Sequence, residues 1–209
     1  YKKTGFEVKL SDARNTLIKS ESIDFVFTSP PYINVFNYHQ QYRPEVEALG
    51  YDVLRNAKSE VGSNRKHRAN RLLTVIQYCV DMKEILDEVH RVLKKESLAV
   101  LVVGRESNVR KTSFSNSDII KKICQECCQF EVISINERFF TNRFGQIIYE
   151  DIIHLKPNKS DLFDMKRSPR DIAREALERG LQNCIEEVKE DFVDALKRLD
   201  SVKSSPLMA

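Results

Sequence analysis

The stretch Thr28-Ser29-Pro30-Pro31-Tyr32 carries the residues of this chain best suited to chemistry. Two successive prolines lock φ and remove two backbone N–H donors, so the turn they make is stiff. The Pro30 carbonyl is then committed to neither a helix nor a ladder and is available as an acceptor. Ser29 adds a hydroxyl that both donates and accepts, and Tyr32 adds a flat aromatic face. Rigid acceptors beside an aromatic plate suit an exocyclic amino group on a planar heterocycle. The plate stacks on the ring, while the acceptors take the amino hydrogens and bias the nitrogen lone pair out of conjugation. The amine becomes a nucleophile without a general base of high pKa. A base in duplex DNA reaches such a pocket only by flipping out of the stack. The bland alternative is a Ser-Pro-Pro loop turn. The buried strand directly before it and the aromatic directly behind it favour function.

That strand is Ile23-Asp24-Phe25-Val26-Phe27, whose apolar density predicts burial on both faces, as in a parallel sheet. In open α/β sheets the ligand lies beyond the carboxyl ends of the strands, which is where the two prolines fall. Upstream, Phe6, Val8 and Leu10 alternate and meet Asp12, which predicts a short strand ending in a carboxylate. Residues 42–71 are polar and mixed, with the character of a loop or short helix. From Leu72 to Lys95 apolar residues recur at helical spacing, and Ser97–Gly104 is a β-branched run that reads as a buried strand. Ser115 and Asn116 are capping candidates for a helix through Cys128. The runs around 130–140 and 146–157 alternate about a Gly-containing turn and predict an antiparallel hairpin. This order predicts an α/β fold with a mostly parallel sheet ending in that hairpin. Residues 1–157 form the expected catalytic portion. Residues 158–209 read as a linker followed by a long helix or helix pair with one apolar face.

Composition narrows the class. The chain has 209 residues, 41% hydrophobic and 31% charged, and a net charge of only +3. No apolar run approaches a membrane span, and the basic start is not followed by an apolar signal core, so a cytoplasmic setting is expected. The five cysteines are odd in number and irregularly spaced. Cys124 and Cys127 have metal-ligand spacing, but no second pair matches them, and buried reduced thiols are expected instead. The histidines are scattered and make no metal set.

Thr28-Ser29-Pro30-Pro31-Tyr32 resembles motif IV of the amino-methylating DNA methyltransferases, which use S-adenosylmethionine to modify cytosine N4 or adenine N6. The run from Thr28 to Gly50, then Ser59–Arg71 and Val102–Arg110, is similar to restriction–modification enzymes of this group, and the resemblance covers roughly residues 6–156. It implies a Rossmann-like methyltransferase fold holding strands three to seven. By this likeness Ser29, Pro30, Pro31 and Tyr32 are the catalytic motif, with Tyr32 stacking on the flipped base. Thr28 and Ser29 would also border the cofactor. Asp12 is either a plain turn aspartate or the acceptor for the cofactor's adenine amino group. A serine before the Pro-Pro, preceded by threonine, leans towards N4-cytosine in this family. Chemistry at cytosine C5 is not suggested, because no cysteine follows the Pro-Pro.

One departure from the family is large. Its first strand is followed by a Gly-rich loop that holds the methionine end of the cofactor. The glycines here are Gly5, Gly50, Gly62, Gly104, Gly145 and Gly180, and no two lie close enough to form that loop. The two strands that would precede residue 6 are also missing from the pattern. A sheet lacking them would expose an apolar face and open backbone edges. The expectation is a second chain, or an N-terminal half, carrying the Gly-rich loop. A smaller departure is Lys94-Lys95-Glu96-Ser97, where relatives show a Pro-Gly-Gly turn.

Double-stranded DNA is the expected macromolecular partner. Arg65, Lys66, Arg68 and Arg71, with Asn64 and Asn70, form the densest basic cluster. They read either as a solvated loop or as contacts to phosphates and base edges. Asn34 and Tyr38 follow the turn, and Arg105, Asn108 and Arg110 follow a strand end, so all five are candidates for the same cleft. Arg138 and Arg143 fit a DNA contact or a plain hairpin turn equally. Two rival readings stay open: a catalytically silent DNA-binding subunit, and an amino-methyltransferase acting on RNA or a protein amide.

Overall fold

The computed structural model describes residues 5–33, 37–62, 67–160 and 166–207. Its centre is a four-stranded sheet. Strand β1 (Ile23–Thr28) runs parallel to β2 (Leu93–Gly104), which pairs antiparallel with β6 (Ile147–Pro157), which pairs with β5 (Phe130–Thr141). A second, two-stranded ribbon joins β3 (Glu106–Val109) to β4 (Thr112–Ser115), with Arg110 and Lys111 at positive φ in its tight turn. The expected α/β class and terminal hairpin are both present, but the sheet is not mostly parallel: among the described residues only β1 and β2 run parallel, because the hairpin supplies the other two strands.

Three short helices, α1 (Tyr38–Gln41), α2 (Arg43–Ala48) and α3 (Val53–Ser59), fill the polar stretch after the Pro-Pro turn. Asp52 caps α3 by accepting from the N–H groups of Leu54 and Arg55. Helix α4 (Leu73–Val92) then returns the chain to the sheet. It passes into β2 without a glycine. Ile23 pairs with Leu93 but Phe25 pairs with Leu98, so the residues between are looped out of the ladder, where the Ser97 hydroxyl donates to the Lys94 carbonyl. That bulge does the work of the missing Pro-Gly-Gly. Ser115 caps α5 (Asn116–Lys122), which runs on as a π-helical turn over Ile123–Cys127.

The C-terminal stretch is two helices, α6 (Pro169–Asn183) and α7 (Lys189–Lys197). Gly180 does not break α6. A Cβ there would lie 2.7 Å from the Phe192 ring, so the glycine admits α7. Ile172, Leu177, Phe192 and Leu199 belong to the same buried cluster as Leu101, Ile153 and Ile120. Residues 166–207 therefore complete the core of the sheet domain.

Alternation assigns each strand residue to a face. Ala99, Leu101, Val103, Ile153 and Leu155 lie in the cluster with the helices. Leu98, Val100 and Val102 point to the other face, in register with Phe25, Phe27 and Ile152. None of these six residues belongs to the buried cluster. Phe25 is 53% exposed and Phe27 66%. The outer edge of β1 pairs with nothing among the described residues.

One expected strand is absent. Phe6, Val8 and Leu10 alternate as a strand would but form no ladder, and Phe6 is 93% exposed. A strand exists only where a neighbour accepts its hydrogen bonds, and residues 6–10 pair with none of the described residues. Only a bridge between Asp12 and Asn15 is formed.

Candidate active site

The Pro-Pro turn leaves β1 at its carboxyl end, as expected. Pro30 and Ile33 are buried and Tyr32 is half-buried. Three long-range contacts fix it. The fully buried Tyr78 of α4 donates its hydroxyl to the Pro31 carbonyl at 2.9 Å. Asn116, at the start of α5, accepts from the Ile33 N–H at 3.4 Å and donates to the Gly104 carbonyl and the Ser107 hydroxyl. Tyr32 donates its hydroxyl to Glu150 of β6 at 3.0 Å, and Glu150 is in turn gripped by Arg138 of β5. Pro30 is itself buried, and its carbonyl takes no hydrogen bond among the described residues, so this acceptor is uncommitted.

Two glycines frame Tyr32. A Cβ on Gly104 would sit 2.7 Å from the ring, and one on Gly62 would sit 2.8 Å from the Tyr32 carbonyl, where φ is +74° as well. Gly104 shares a face of β2 with Val100 and Val102, so the tyrosine ring lies at the end of the helix-free face. Burial raises the Tyr32 pKa, and the Glu150 carboxylate adds to the effect, so the hydroxyl stays protonated and donates. The Ser29 hydroxyl lies 3.3 Å from the Tyr32 hydroxyl.

Beside the turn is a hollow of about 360 Å³ whose lining includes Asp12, Pro31, Tyr38, Tyr42 and Ile85. Thus Asp12 and the Pro-Pro turn, well separated in sequence, reach one cavity with two aromatic rings. Both Asp12 carboxylate oxygens accept from Arg14, at 2.7–2.9 Å. His39 is 2% exposed and held by Glu60 through its backbone N–H and through Nδ1 at 2.7 Å, which seats α1 on the cavity.

The candidate DNA contacts separate into three groups. Arg105 is engaged by Glu137 and by Asp151 at 2.8 Å and lies over the Tyr149 ring, while Arg110 is paired with Asp191; Asn108 sits on β3 beside it. Arg68 and Arg71 are exposed, whereas Asn70 is buried, donating to Asp191 and Asp194 and accepting from the Leu72 N–H at the start of α4. Asn34, Asn64, Arg65 and Lys66 lie outside the described residues.

Tyr78, Asn116 and Glu150 were not among the sequence candidates. Their partners lie 47, 83 and 118 residues away, and nothing local to Glu150 marks it as a ligand of Tyr32. All five thiols are free of disulfides, and four are buried. Burial pushes those four up, Cys127 to about 11, so they remain protonated packing groups. Among the described residues no cluster of His, Cys, Asp and Glu could hold a metal ion, and no helix is long and apolar enough to cross a membrane.

No protein-family model matches the sequence. A type II methyltransferase of Methanocaldococcus jannaschii, M.MjaII, is 29% identical over 104 residues, which is 50% of this chain and 19% of that protein. The matched part is thus under a fifth of the relative's length. Among solved structures, a protein assigned as a DNA modification methylase from Thermus thermophilus, complexed with S-adenosyl-L-methionine, is 18% identical with a TM-score of 0.44, covering 74% of this chain and 56% of that one. A SAM-dependent methyltransferase from Methanosarcina mazei is 15% identical with a TM-score of 0.41, covering 75% and 70%.

Proposed function

We propose that this chain is the base-binding part of an S-adenosylmethionine-dependent DNA methyltransferase acting on an exocyclic amino group, cytosine N4 ahead of adenine N6, in a restriction–modification system of a prokaryotic cytoplasm. The observation that carries the reading is the Pro-Pro turn at the end of β1, with an uncommitted Pro30 carbonyl beside a clamped Tyr32. The 29% identity with a type II methyltransferase supports it. In this reading Tyr32 stacks on the flipped base. Ser29 and the Pro30 carbonyl accept the amino hydrogens, and Pro31 keeps the turn rigid. Rate enhancement then comes from positioning and fixed dipoles, with no covalent enzyme intermediate.

The residues present fit part of the cofactor. Asp12, with Thr28 and Ser29 at the end of β1, would hold it beside the hollow that Tyr38 and Tyr42 line. When bound, it supplies the methyl group. No cradle for its methionine end is made by these glycines: Gly62 and Gly104 admit Tyr32, Gly180 admits Phe192, and Gly5, Gly50 and Gly145 face open space. We assign that cradle to a second chain or to a preceding part of the protein. The missing half would add a strand to the open edge of β1 and helices over the face bearing Phe25 and Phe27.

The test is methyl transfer to duplex DNA by this chain together with its completing half, followed by digestion to nucleosides. N4-methylcytosine is expected; N6-methyladenine would overturn the choice of base, and no methylated nucleoside would overturn the enzyme reading. Tyr32→Ala should remove the product while duplex binding persists. Tight S-adenosylmethionine binding by this chain alone would refute the two-part reading.

A further inference from the structure

Two of the cations that the sequence places near the turn, Arg105 and Arg110, are engaged by carboxylates. Three others are not. Lys58 on α3, Arg68 before α4 and Lys203 in the C-terminal tail all line one hollow of about 580 Å³, together with His67, Gln77 and Ser204. None of the three forms an ion pair among the described residues, and no carboxylate lines the hollow. They come from three segments of the chain, so it is the fold that gathers them.

The tail that brings Lys203 is anchored firmly. Val202 and Ser205, on either side of Lys203 and Ser204, are buried. Ser205 donates its N–H and its hydroxyl to the fully buried Asp81 carboxylate at 2.6 Å each, and Gln77 donates to the Ser205 hydroxyl at 3.1 Å. The Arg14 guanidinium donates to the Ser205 and Pro206 carbonyls. Like charges held around one hollow without a counter-charge favour an anion there.

The location indicates which anion. Helix α3 is the wall between two cavities. Asn56 and Ser59 line the hollow beside Pro31 and Asp12, while Ala57 and Lys58 line the cationic one. A helix with its side chains is about 10–12 Å across, so the cationic hollow lies roughly one helix diameter from the hollow that Pro31 of the turn lines. Duplex DNA carries one charge per about 1.7 Å of its axis, so a duplex engaged at the turn has backbone phosphates within that reach.

We propose that Lys58, Arg68 and Lys203 form a clamp for the backbone phosphates of duplex DNA, with the C-terminal tail as one of its jaws. The proposal rests on the DNA reading above and adds where the backbone is held. The clamp positions the duplex and reads no sequence.

The test is fluorescence anisotropy of a labelled duplex oligonucleotide titrated with the full chain across a salt series. Replacing Lys58, Arg68 and Lys203 with Gln together should flatten the slope of log affinity against log salt by about 2 to 3 and weaken binding at least about tenfold near 0.1 M salt. Each single replacement should flatten the slope by about one, and Lys58→Arg, which keeps the charge, should leave it as in the natural protein. A control carrying Lys19→Gln, Lys95→Gln and Arg174→Gln, with the same loss of charge at exposed sites elsewhere, should keep the natural slope. Duplex binding with an unchanged slope in the clamp variant would overturn the clamp and leave the DNA reading standing. Equal flattening in the control would also overturn it, by tracing the effect to net charge. Absence of duplex binding by the natural chain at every salt concentration would overturn both.

Discussion

The two faces of the central sheet differ more than any other two regions of the molecule. One carries Ala99, Leu101, Val103, Ile153 and Leu155 under four helices, all nearly closed to solvent. The other carries Phe25 and Phe27, largely exposed, beside the almost fully buried Val100 and Val102, none of them in the buried cluster, and ends at the Tyr32 ring. A sheet with apolar residues on both faces is built to be covered on both. The covered face holds this chain together, while the other face is where, in the function proposed above, a completing half would sit. The contrast extends to the edge: among the described residues β1 is bonded on one side only, and the alternating residues 6–10 form no ladder.

The largest effect should come from the covered face. Phe192 is fully buried, stacks on Phe114 with centroids 6.3 Å apart, and is admitted by Gly180. Phe192→Ala should cost about 3–5 kcal/mol in urea unfolding, the range for emptying a buried aromatic site. A loss below about 1 kcal/mol would mean that residues 166–207 are an appendage and that the covered face ends at α5. Next in size is Gly104→Ala, where the two faces meet at the site. Its φ is ordinary, so the cost is steric: the new methyl group needs the space of the Tyr32 ring, and overpacking of this kind costs about 1–3 kcal/mol. If Tyr32 stacks on the base as proposed, methyl transfer in the completed enzyme should fall further than stability does. Unchanged turnover would separate Tyr32 from the chemistry.

A smaller effect should appear on acidification. Glu88 of α4 accepts from the Thr16 N–H and hydroxyl and from Arg91, and so ties the uncovered N-terminal segment to the covered-face helix. The hydrogen bonds from Arg91, then those from Thr16, hold its carboxyl well below the ordinary range, to about 2. A depressed carboxylate stabilises the fold fully above the unfolded value near 4.5 and loses that contribution as pH falls towards 2. The protection factors at Thr16 and Ile18, which divide out the intrinsic pH dependence of amide exchange, should therefore fall between pH 4.5 and 2, and Glu88→Gln should abolish that fall.

The same contrast sets what could be read before the structure. Elements whose partners lie within the chain were legible: β1, α4, β2 and the β5–β6 hairpin follow from periodicity, and the α5 cap follows from Ser115. The strand expected at residues 6–10 was not realised, because alternation records a pleat and not the neighbour that makes it a ladder. The polar stretch hid α1 to α3, although Asp52 two residues before Leu54 is a cap signal. At the site, the Pro-Pro turn and its aromatic were legible because they are contiguous. The Tyr78, Asn116 and Glu150 contacts were not, since each is a tertiary meeting of distant residues. The basic residues were visible as a composition, but only the fold distinguishes Arg105, committed to Asp151, from Lys58, which shares its hollow with another cation, Lys203.

The smallest expected effect on stability is the sharpest probe of the bare face. Phe25 and Phe27 are large apolar residues that bury little in this chain, so replacing both with Thr removes few contacts and puts another strand-favouring residue in each position. Urea unfolding should shift by no more than about 0.5 kcal/mol per site, the usual range for exposed positions. Binding of a hydrophobic dye should fall at the same time, because the dye's surface is this face. If the completing half covers it, the same double variant should lose methyl transfer by failing to assemble, although its own fold is intact. A large loss of stability would show instead that Phe25 and Phe27 already pack within this chain, and the two faces would then no longer be different in kind.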